Sequence, residues 1–172
     1  ILKPFSYRVL KEDCLDLPEK TYVQREVELT DEQKQTYSTM KAAALASLNG
    51  KRATAPHVLT QLMRLHQITC GHLKNDDDTI TALKSNRINS LMELLEEVDG
   101  KVIIWANYIY DIKQIVAAIG KKYGEDSIVQ YYGAIPSEMR QKYIEIFQDP
   151  NSKARFFVGN PQTGGYGITL TA

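Results

Sequence analysis

Two hydrophobic patterns divide the chain, and the first is mainly helical. Apolar residues at helical spacing predict a helix over about 30–48, begun by a Thr-x-x-Gln capping box of Thr30 and Gln33. A second helix with the same spacing starts near Pro56. Before both helices, "TYVQREVEL" alternates between apolar and polar residues, which predicts a half-buried strand over 21–29. The polar segment "NDDDT" predicts a loop.

From residue 85 onward, short apolar runs alternate with helical patterns. Ser85 is a candidate N-cap for a helix whose apolar positions run from Ile88 to Val98. "KVIIWA", "SIVQYY" and "ARFFVG" predict three strands separated by helices, and the first strand is expected to be buried on both faces, with Trp105 in the core. Strand–helix–strand order predicts right-handed crossovers and a parallel sheet. We therefore divide the chain into a connector strand with a helical part, 1–84, and an α/β core, 85–172.

The loops after the three strands are the expected ligand-binding positions. In an open parallel sheet, ligands bind beyond the carboxyl ends of the strands, and "ANYIY", "GAIPSEMR" and "GNPQTGGYG" lie there. Glycines in "TGGYG" would let backbone N–H groups approach a phosphate. The short polar side chains of this rim suit a sugar–phosphate backbone; they are Asn107, Asn160, Gln162 and Thr163. Tight turns and Asx turns explain the same residues equally well.

Composition limits the partners. The 172 residues carry 21 basic and 21 acidic side chains, so a nucleic-acid surface has to be local. Cys14 and Cys70 are far apart in the sequence, which favours a reducing compartment. No apolar run approaches the length of a membrane span, so we expect no membrane partner.

The sequence gives little support for a P-loop or a zinc site. No Gly-Lys pair has the spacing of a phosphate-binding P-loop. His66, Cys70 and His72 could be zinc ligands, but a fourth ligand is missing and helical packing accounts for them better, so no metal site is expected. No set of catalytic residues can be argued either.

Six segments occur in the order found in SWI/SNF-type DNA translocases of helicase superfamily two. "FSYRVLKEDCLDLPEKTYVQREVELTDEQKQTY" resembles their connector, with its "LPxK" and "LTxxQxxxY" patterns. "LMRLHQITCGH" is similar to "LxxLRQICxHP", and "KSNRINSLMELL" to "SxKxxxLxxLL". "KVIIWANY" resembles the fourth helicase motif, "YYGAIPSEMRQKYIEIFQ" the "GxxxxxxRxxxIxxF" segment, and "VGNPQTGGYGITLTA" the fifth motif, "GGxGxNLxxA". The similarity covers nearly the whole chain.

The resemblance implies a RecA-like three-layer α/β fold with a mainly parallel sheet, preceded by a helical N-terminal extension. In that family, two such lobes hold ATP and Mg²⁺ between them. ATP closes the lobes and hydrolysis opens them, so that the grip advances along the duplex. The implied partners are the N-terminal lobe of the same parent chain and the backbone of double-stranded DNA, bound without sequence preference.

The resemblance also assigns residues to the two ligands. A DNA-binding rim would comprise Asn107, Gly133, Asn160, Gln162, Thr163 and Gly164. A nucleotide-binding side would comprise Gly165, Gly167 and Thr169. The chain departs from the family pattern in two of these residues: many members have Arg where Gln162 stands, and the usual Asn is replaced by Thr169. The "NPQTGG" spelling is more similar to phage or bacterial members.

The ends of the sequence suggest a piece of a longer parent. The chain starts at Ile1 and stops at Ala172, before the sixth motif and its arginines, and it contains no P-loop. We therefore expect no catalysis by this piece alone and no cofactor bound to it. The parent would act in the cytoplasm of a bacterium or a phage-infected host, or in the nucleus if it is eukaryotic.

Two alternatives remain. The chain could be a non-catalytic nucleic-acid or protein-binding module that kept the RecA-like fold. A dinucleotide or nucleotide-sugar enzyme is disfavoured, because the glycines follow the third strand of the α/β part instead of the first.

Overall fold

The computed structural model describes residues 20–50, 55–165 and 168–170, which form six α-helices and five β-strands. The helices are α1 (Asp31–Gly50), α2 (Ala55–Cys70), α3 (Arg87–Glu97), α4 (Ile109–Tyr123), α5 (Ser137–Gln148) and α6 (Pro161–Gly164). The strands are β1 (His72–Lys74), β2 (Ile80–Ala82), β3 (Val102–Trp105), β4 (Ile128–Tyr131) and β5 (Phe156–Gly159). No helix within these residues is long and apolar enough to cross a membrane.

The capping box at the start of α1 is confirmed. The Thr30 N–H donates to Gln33 Oε1 at 3.1 Å, and the Gln33 N–H donates to Thr30 Oγ1 at 3.3 Å. Gln33 is fully buried, and its Nε2 donates to the Ile68 carbonyl near the end of α2 at 2.8 Å. The capping side chain therefore also joins α1 to α2.

The strand predicted over 21–29 is absent. The structure gives this segment no regular secondary structure, and Tyr22 and Val23 are 89% and 85% exposed. A strand needs hydrogen bonds to a neighbouring strand, and within the described ranges none pairs with this segment.

A short antiparallel hairpin follows α2. Strands β1 and β2 pair with Leu73 opposite Thr81, and the predicted loop "NDDDT" connects them. The turn is held by Asp77 Oδ1, which accepts from the Thr79 N–H at 3.1 Å and from its hydroxyl at 2.6 Å. The sequence pattern predicts the loop but not the strands, because three residues are too few to show an alternating pattern.

The main sheet is parallel, as predicted, with strand order β3–β5–β4. The last strand in the chain lies in the centre, and all four of its residues are buried. Strand β3 is at an edge of this sheet, so the prediction that it is buried on both faces is wrong: Ile103 and Trp105 are 40% and 41% exposed. Chain order alone does not reveal which strand is central.

Two hydrophobic clusters cover the two faces of β5. On one face, Phe156 and Val158 pack with Leu95 of α3 and with three isoleucines of α4. On the other face, Phe157 packs with Ile144 and Phe147 of α5. Side chains alternate across a strand, so β5 supplies both cores. Fully burying one such side chain stabilises the fold by about 1.5–3 kcal/mol.

The helix predicted after Ser85 is confirmed, with a shifted start. Helix α3 begins at Arg87, and Ser85 Oγ accepts from the Arg87 N–H at 3.3 Å. The guanidinium of Arg155 caps the C-terminal end of α3. It donates to the carbonyls of Leu95 at 3.1 Å and Gly100 at 2.8 Å, and also to that of Val98. This guanidinium satisfies carbonyls that the end of the helix leaves without partners.

Candidate nucleic-acid interface

The three predicted loops lie at one edge of the parallel sheet. The last residues of the three strands share one register, because Gly159 is the partner of both Trp105 and Tyr131. The pairing continues one residue further, where the Asn160 N–H donates to the Tyr131 carbonyl and the Ala106 N–H to the Gly159 carbonyl, each at 2.9 Å. The loops after β3, β4 and β5 therefore start side by side.

A cavity of about 500 Å³ lies at this edge, and we call it the edge groove. It contains five of the six residues predicted for the DNA-binding rim: Asn107, Gly133, Asn160, Gln162 and Thr163. Its other wall comes from α2 and the hairpin, through Gln67, His72, Lys74 and Ile80. Tyr108, Ile109, Tyr110 and Tyr132 complete its lining. The structure thus brings the rim residues of three separate loops together.

Asn160 holds two of these loops together. Its Nδ2 donates to the Asn107 carbonyl at 2.8 Å and to the Ala106 carbonyl at 3.3 Å. Its Oδ1 accepts from the Gln162 N–H at 2.9 Å and so caps α6. Only 8% of Asn160 is exposed, and both of its donors are used inside the protein. The side chain is therefore placed to position the rim.

The glycine-rich segment is a helical turn rather than an open loop. The N–H groups of Thr163 and Gly164 donate to the Asn160 carbonyl at 3.1 and 2.9 Å, and the Gly165 N–H donates to the Pro161 carbonyl at 2.7 Å. The expectation that these backbone donors are free for a phosphate is wrong for this part of the segment. The polar groups that α6 turns to the edge groove belong to Gln162 and Thr163.

Gly164 and Gly159 make room for an indole ring. A Cβ atom on Gly164 would lie 2.7 Å from Trp105 Cη2, and one on Gly159 would lie 2.8 Å from Trp105 Cζ3. Such distances are far below van der Waals contact, so a side chain at either position requires the neighbouring groups to shift. Trp105 is 41% exposed instead of lying in the core, and its ring meets Phe157 edge-on at 5.9 Å. Gly164, predicted in the rim, is buried beside it.

Of the residues predicted for the nucleotide-binding side, the two that the structure describes, Gly165 and Thr169, do not line the edge groove. Thr169 lines a separate depression of about 410 Å³, together with Arg140, Gln148 and others. The Thr169 carbonyl accepts from Gln148 Nε2 at 2.6 Å. Gly165 follows α6, and Gly167 lies outside the described residues. Arg140 Nε is buried, with no hydrogen-bond partner among the described residues.

The two histidines of the candidate zinc set, His66 and His72, pack against tyrosines of the loop after β3. His66 Nδ1 lies 2.9 Å from the Tyr108 hydroxyl, and His72 meets the rings of Tyr108 and Tyr110 at centroid distances of 5.0 and 4.8 Å. Cys70 Sγ is 4.0 Å from His66 Nε2. Within the described ranges, no three His, Cys, Asp or Glu side chains are arranged to hold a metal ion. Packing accounts for these side chains.

Asp111 and Cys70 lie next to this cluster. His72 is 2% exposed, and its Nδ1 lies 3.1 Å from Asp111 Oδ1, at an angle that does not make a hydrogen bond. Burial raises the pKa of the Cys70 thiol above its ordinary value of 9.0, against a smaller opposing effect of the Arg87 guanidinium. Burial also raises the pKa of the Tyr108 hydroxyl. Both groups therefore favour their neutral forms.

Lys74 and Tyr108 line the edge groove, although neither was predicted as a site residue from the sequence. Lys74 reaches the groove through a contact between distant segments: β1 packs beside the loop after β3, although 30 residues or more separate them in the chain. Tyr108 could have been proposed from its place directly after Asn107. Lys74 carried no comparable signal, since a lysine beside a polar loop is ordinary.

The fold and the groove together define a RecA-like α/β lobe with a candidate ligand site at the carboxyl edge of its sheet. No protein-family model matches the chain. The sequence is 29% identical to Chromodomain-helicase-DNA-binding protein 7 of Gallus gallus over 202 aligned positions, which cover all of this chain and 6% of that protein. The chain spans less than a tenth of the length of the curated relatives it matches. It covers 6% of the chicken protein and 7% of SNF2 domain-containing protein CLASSY 3 of Arabidopsis thaliana.

Two solved structures share the fold. The Sulfolobus solfataricus SWI2/SNF2 ATPase core domain superposes with a TM-score of 0.74 at 24% identity, over 99% of this chain and 37% of that chain. The same organism's SWI2/SNF2 ATPase core in complex with dsDNA superposes with a TM-score of 0.67 at 23% identity, over 84% of this chain and 31% of that chain. The resemblance to an SWI/SNF-type C-terminal lobe and the RecA-like fold class are thereby confirmed. The phage or bacterial origin stays a prediction.

Proposed function

We propose that the chain is the C-terminal lobe of an ATP-dependent double-stranded DNA translocase, and that the edge groove holds the backbone of the duplex. The observation that carries this proposal is the convergence of five predicted rim residues, from three loops, on one groove. The similarity to an SWI2/SNF2 ATPase core in complex with dsDNA supports the choice of ligand.

The chemistry of the groove suits a sugar–phosphate backbone. Asn107, Gln162 and Thr163 offer amide and hydroxyl groups, which donate hydrogen bonds to phosphate oxygens without reading base edges. Asn160 acts behind them by fixing Asn107 and Gln162 relative to each other. Binding should therefore be nonspecific in sequence and should weaken as salt increases.

The nucleotide side is a separate part of the proposal. Gly165, Gly167 and Thr169 would face ATP and Mg²⁺ held between this lobe and the N-terminal lobe of the parent. The depression beside Thr169 suits an anionic group, because the Arg140 guanidinium is among its lining residues. When bound, ATP supplies the free energy for closing and opening the lobes. The contribution of this chain is to hold the duplex at a fixed distance from that cleft.

The isolated 172-residue chain should hydrolyse no ATP, because its sequence contains no P-loop. We also retain the division at residue 84, with 1–84 as the connector and helical part and 85–172 as the α/β core. The parent would work in the cytoplasm if bacterial or phage-encoded, and in the nucleus if eukaryotic.

Duplex binding by the chain tests the function. Fluorescence anisotropy of a labelled duplex should show salt-dependent binding that Gln162→Ala with Thr163→Ala weakens. The matched control is Gln35→Ala with Thr39→Ala, the same substitutions on the exposed side of α1. Equal affinity of both double variants and the unmodified chain would overturn the proposal.

A second measurement separates a motor from a binding module. In the whole parent, the Gln162→Ala and Thr163→Ala pair should lower DNA-stimulated ATP hydrolysis more than basal hydrolysis. Duplex binding by a parent that shows no DNA-stimulated hydrolysis would instead favour the non-catalytic module.

A further inference from the structure

Lys74 is the one Lys or Arg side chain among the described residues that line the edge groove. It ends β1, on the wall opposite the rim. Its side chain is 53% exposed, and its Nζ lies 2.6 Å from Asp78 Oδ1 across the hairpin turn. A mobile ammonium group in a groove of neutral hydrogen-bonding side chains is suited to an anion.

The backbone of Lys74 is fixed by its neighbours. Its N–H donates to Oε1 of the buried Gln67 at 3.1 Å, which ties β1 to α2. His72 lies two residues earlier and thus on the same face of β1, where it is buried against Tyr108 and Tyr110. The packing of His72 therefore orients Lys74 towards the groove that both residues line.

Asp78 is the one acid of the "DDD" run that pairs with Lys74. Asp76 pairs with Arg64, and Asp77 accepts from Thr79. Asp78 has a φ of 64°, in the left-handed region that Asp and Asn tolerate better than most residues. The hydrogen bond from Lys74 lowers the pKa of Asp78, so the carboxylate is charged at neutral pH.

An ion pair this exposed contributes little to folding stability. Its two partners are therefore free to exchange, and a DNA phosphate has the same charge and acceptor chemistry as the carboxylate it would replace.

We propose that Lys74 is a phosphate contact of the edge groove and that Asp78 competes with the DNA backbone for it. This proposal rests on the proposed function of the groove. Lys74 adds the cationic contact that the neutral rim lacks, and Asp78 keeps that contact weak, which suits a lobe that has to release and regrip the duplex.

The test is a double-mutant cycle on duplex binding by the 172-residue chain, measured by anisotropy over a series of salt concentrations. Lys74→Met keeps the apolar stem and removes the charge. It should weaken binding about threefold or more and reduce the slope of log affinity against log salt by about 0.9. Asp78→Asn tolerates the same backbone conformation and should strengthen binding, because it frees Lys74.

Two controls make the result specific. Asp77→Asn removes the same charge one residue away and should change affinity much less than Asp78→Asn. In the Lys74→Met background, Asp78→Asn should give no gain. A gain that persists there would reflect general charge and would overturn the competition. Circular dichroism and thermal unfolding verify that each variant is folded.

The outcomes separate this proposal from the proposed function. If Lys74→Met binds like the unmodified chain while the Gln162→Ala and Thr163→Ala pair weakens binding, Lys74 is not a contact and the function of the groove stands. If the folded chain binds no duplex even at low salt, both proposals fail.

Discussion

Asn160 Nδ2 donates a hydrogen bond to the carbonyl of Asn107 at 2.8 Å, and this contact joins the loop after the edge strand β3 to the loop after the central strand β5. The two residues are 53 positions apart in the chain. Each was predicted as a DNA contact, but the structure shows that Asn160 uses its donors to hold the backbone of the other. The buried amide of Asn160 thus fixes the backbone of the exposed rim residues Asn107 and Gln162.

Asn160→Asp should separate the two functions of this side chain. A carboxylate can still accept from the Gln162 N–H, but it would face the carbonyls of Asn107 and Ala106 without a proton to share. We expect a loss of about 1–3 kcal/mol in the free energy of unfolding, measured by urea denaturation. Asn151→Asp, at an exposed position, should stay within about 0.5 kcal/mol. Equal stability of the two variants would show that the contact with Asn107 is dispensable.

Gly164→Ala should destabilise the lobe by overpacking. The new methyl group would lie 2.7 Å from Trp105, so the indole has to move, at a cost of about 1–3 kcal/mol. Trp105 is the only tryptophan in the sequence, so its emission reports this movement directly.

Gly133→Ala is the matched control for Gly164→Ala. A Cβ atom there would be 3.8 Å from Thr163 Oγ1, an ordinary contact, so stability and emission should hardly change. Trp105→Leu should relieve the clash, and Gly164→Ala should then cost less in that background. An unchanged cost would mean that the indole is not what requires glycine.

Gln33→Ala should weaken the junction of α1 and α2. The substitution removes the acceptor for the Thr30 N–H and leaves the buried Ile68 carbonyl without its side-chain donor. We expect a loss of about 1–3 kcal/mol by urea denaturation. Gln35→Ala, two residues away and exposed, should be nearly neutral. Similar values for the two would contradict a structural role for the capping box.

Stability should fall in alkaline solution. Burial raises the pKa values of Cys70 and Tyr108 in the folded state, so the unfolded chain releases these protons first. The stability that these protonated groups contribute is fully present below their pKa values in the unfolded chain. It is lost as pH rises through their higher pKa values in the folded chain, beginning near pH 9 for the thiol. Urea denaturation between neutral and alkaline pH measures this slope.

Variants identify the groups responsible for the alkaline slope. Cys70→Ala and Tyr108→Phe should each make the fall with pH shallower. Tyr22→Phe, at a residue that is 89% exposed, should leave the slope unchanged. A slope unaffected by substitution of either Cys70 or Tyr108 would assign the alkaline sensitivity to other groups.

Structural features formed by residues close together in the chain were predictable from the sequence. The capping box of Thr30 and Gln33, the helical spacing in α2 to α5 and the loop at 75–79 depend on residues a few positions apart, and the structure confirms them. The meeting of the rim at one edge was also predictable, because the carboxyl ends of parallel strands lie together. The six ordered motifs predicted the resemblance to SWI/SNF-type C-terminal lobes that the similar structures confirm.

Contacts between distant segments decided the rest. Alternation over 21–29 predicted a strand, but a strand exists only where another strand pairs with it. The place of β5 between β3 and β4 buries "FFVG" and leaves Trp105 at an edge, which no pattern within either segment encodes. Lys74 beside the rim, Asn160 across to Asn107 and Gly164 beneath the indole likewise arise from packing. A sequence pattern records the preferences of neighbouring residues, whereas the groove is formed by side chains that become neighbours only when the chain folds.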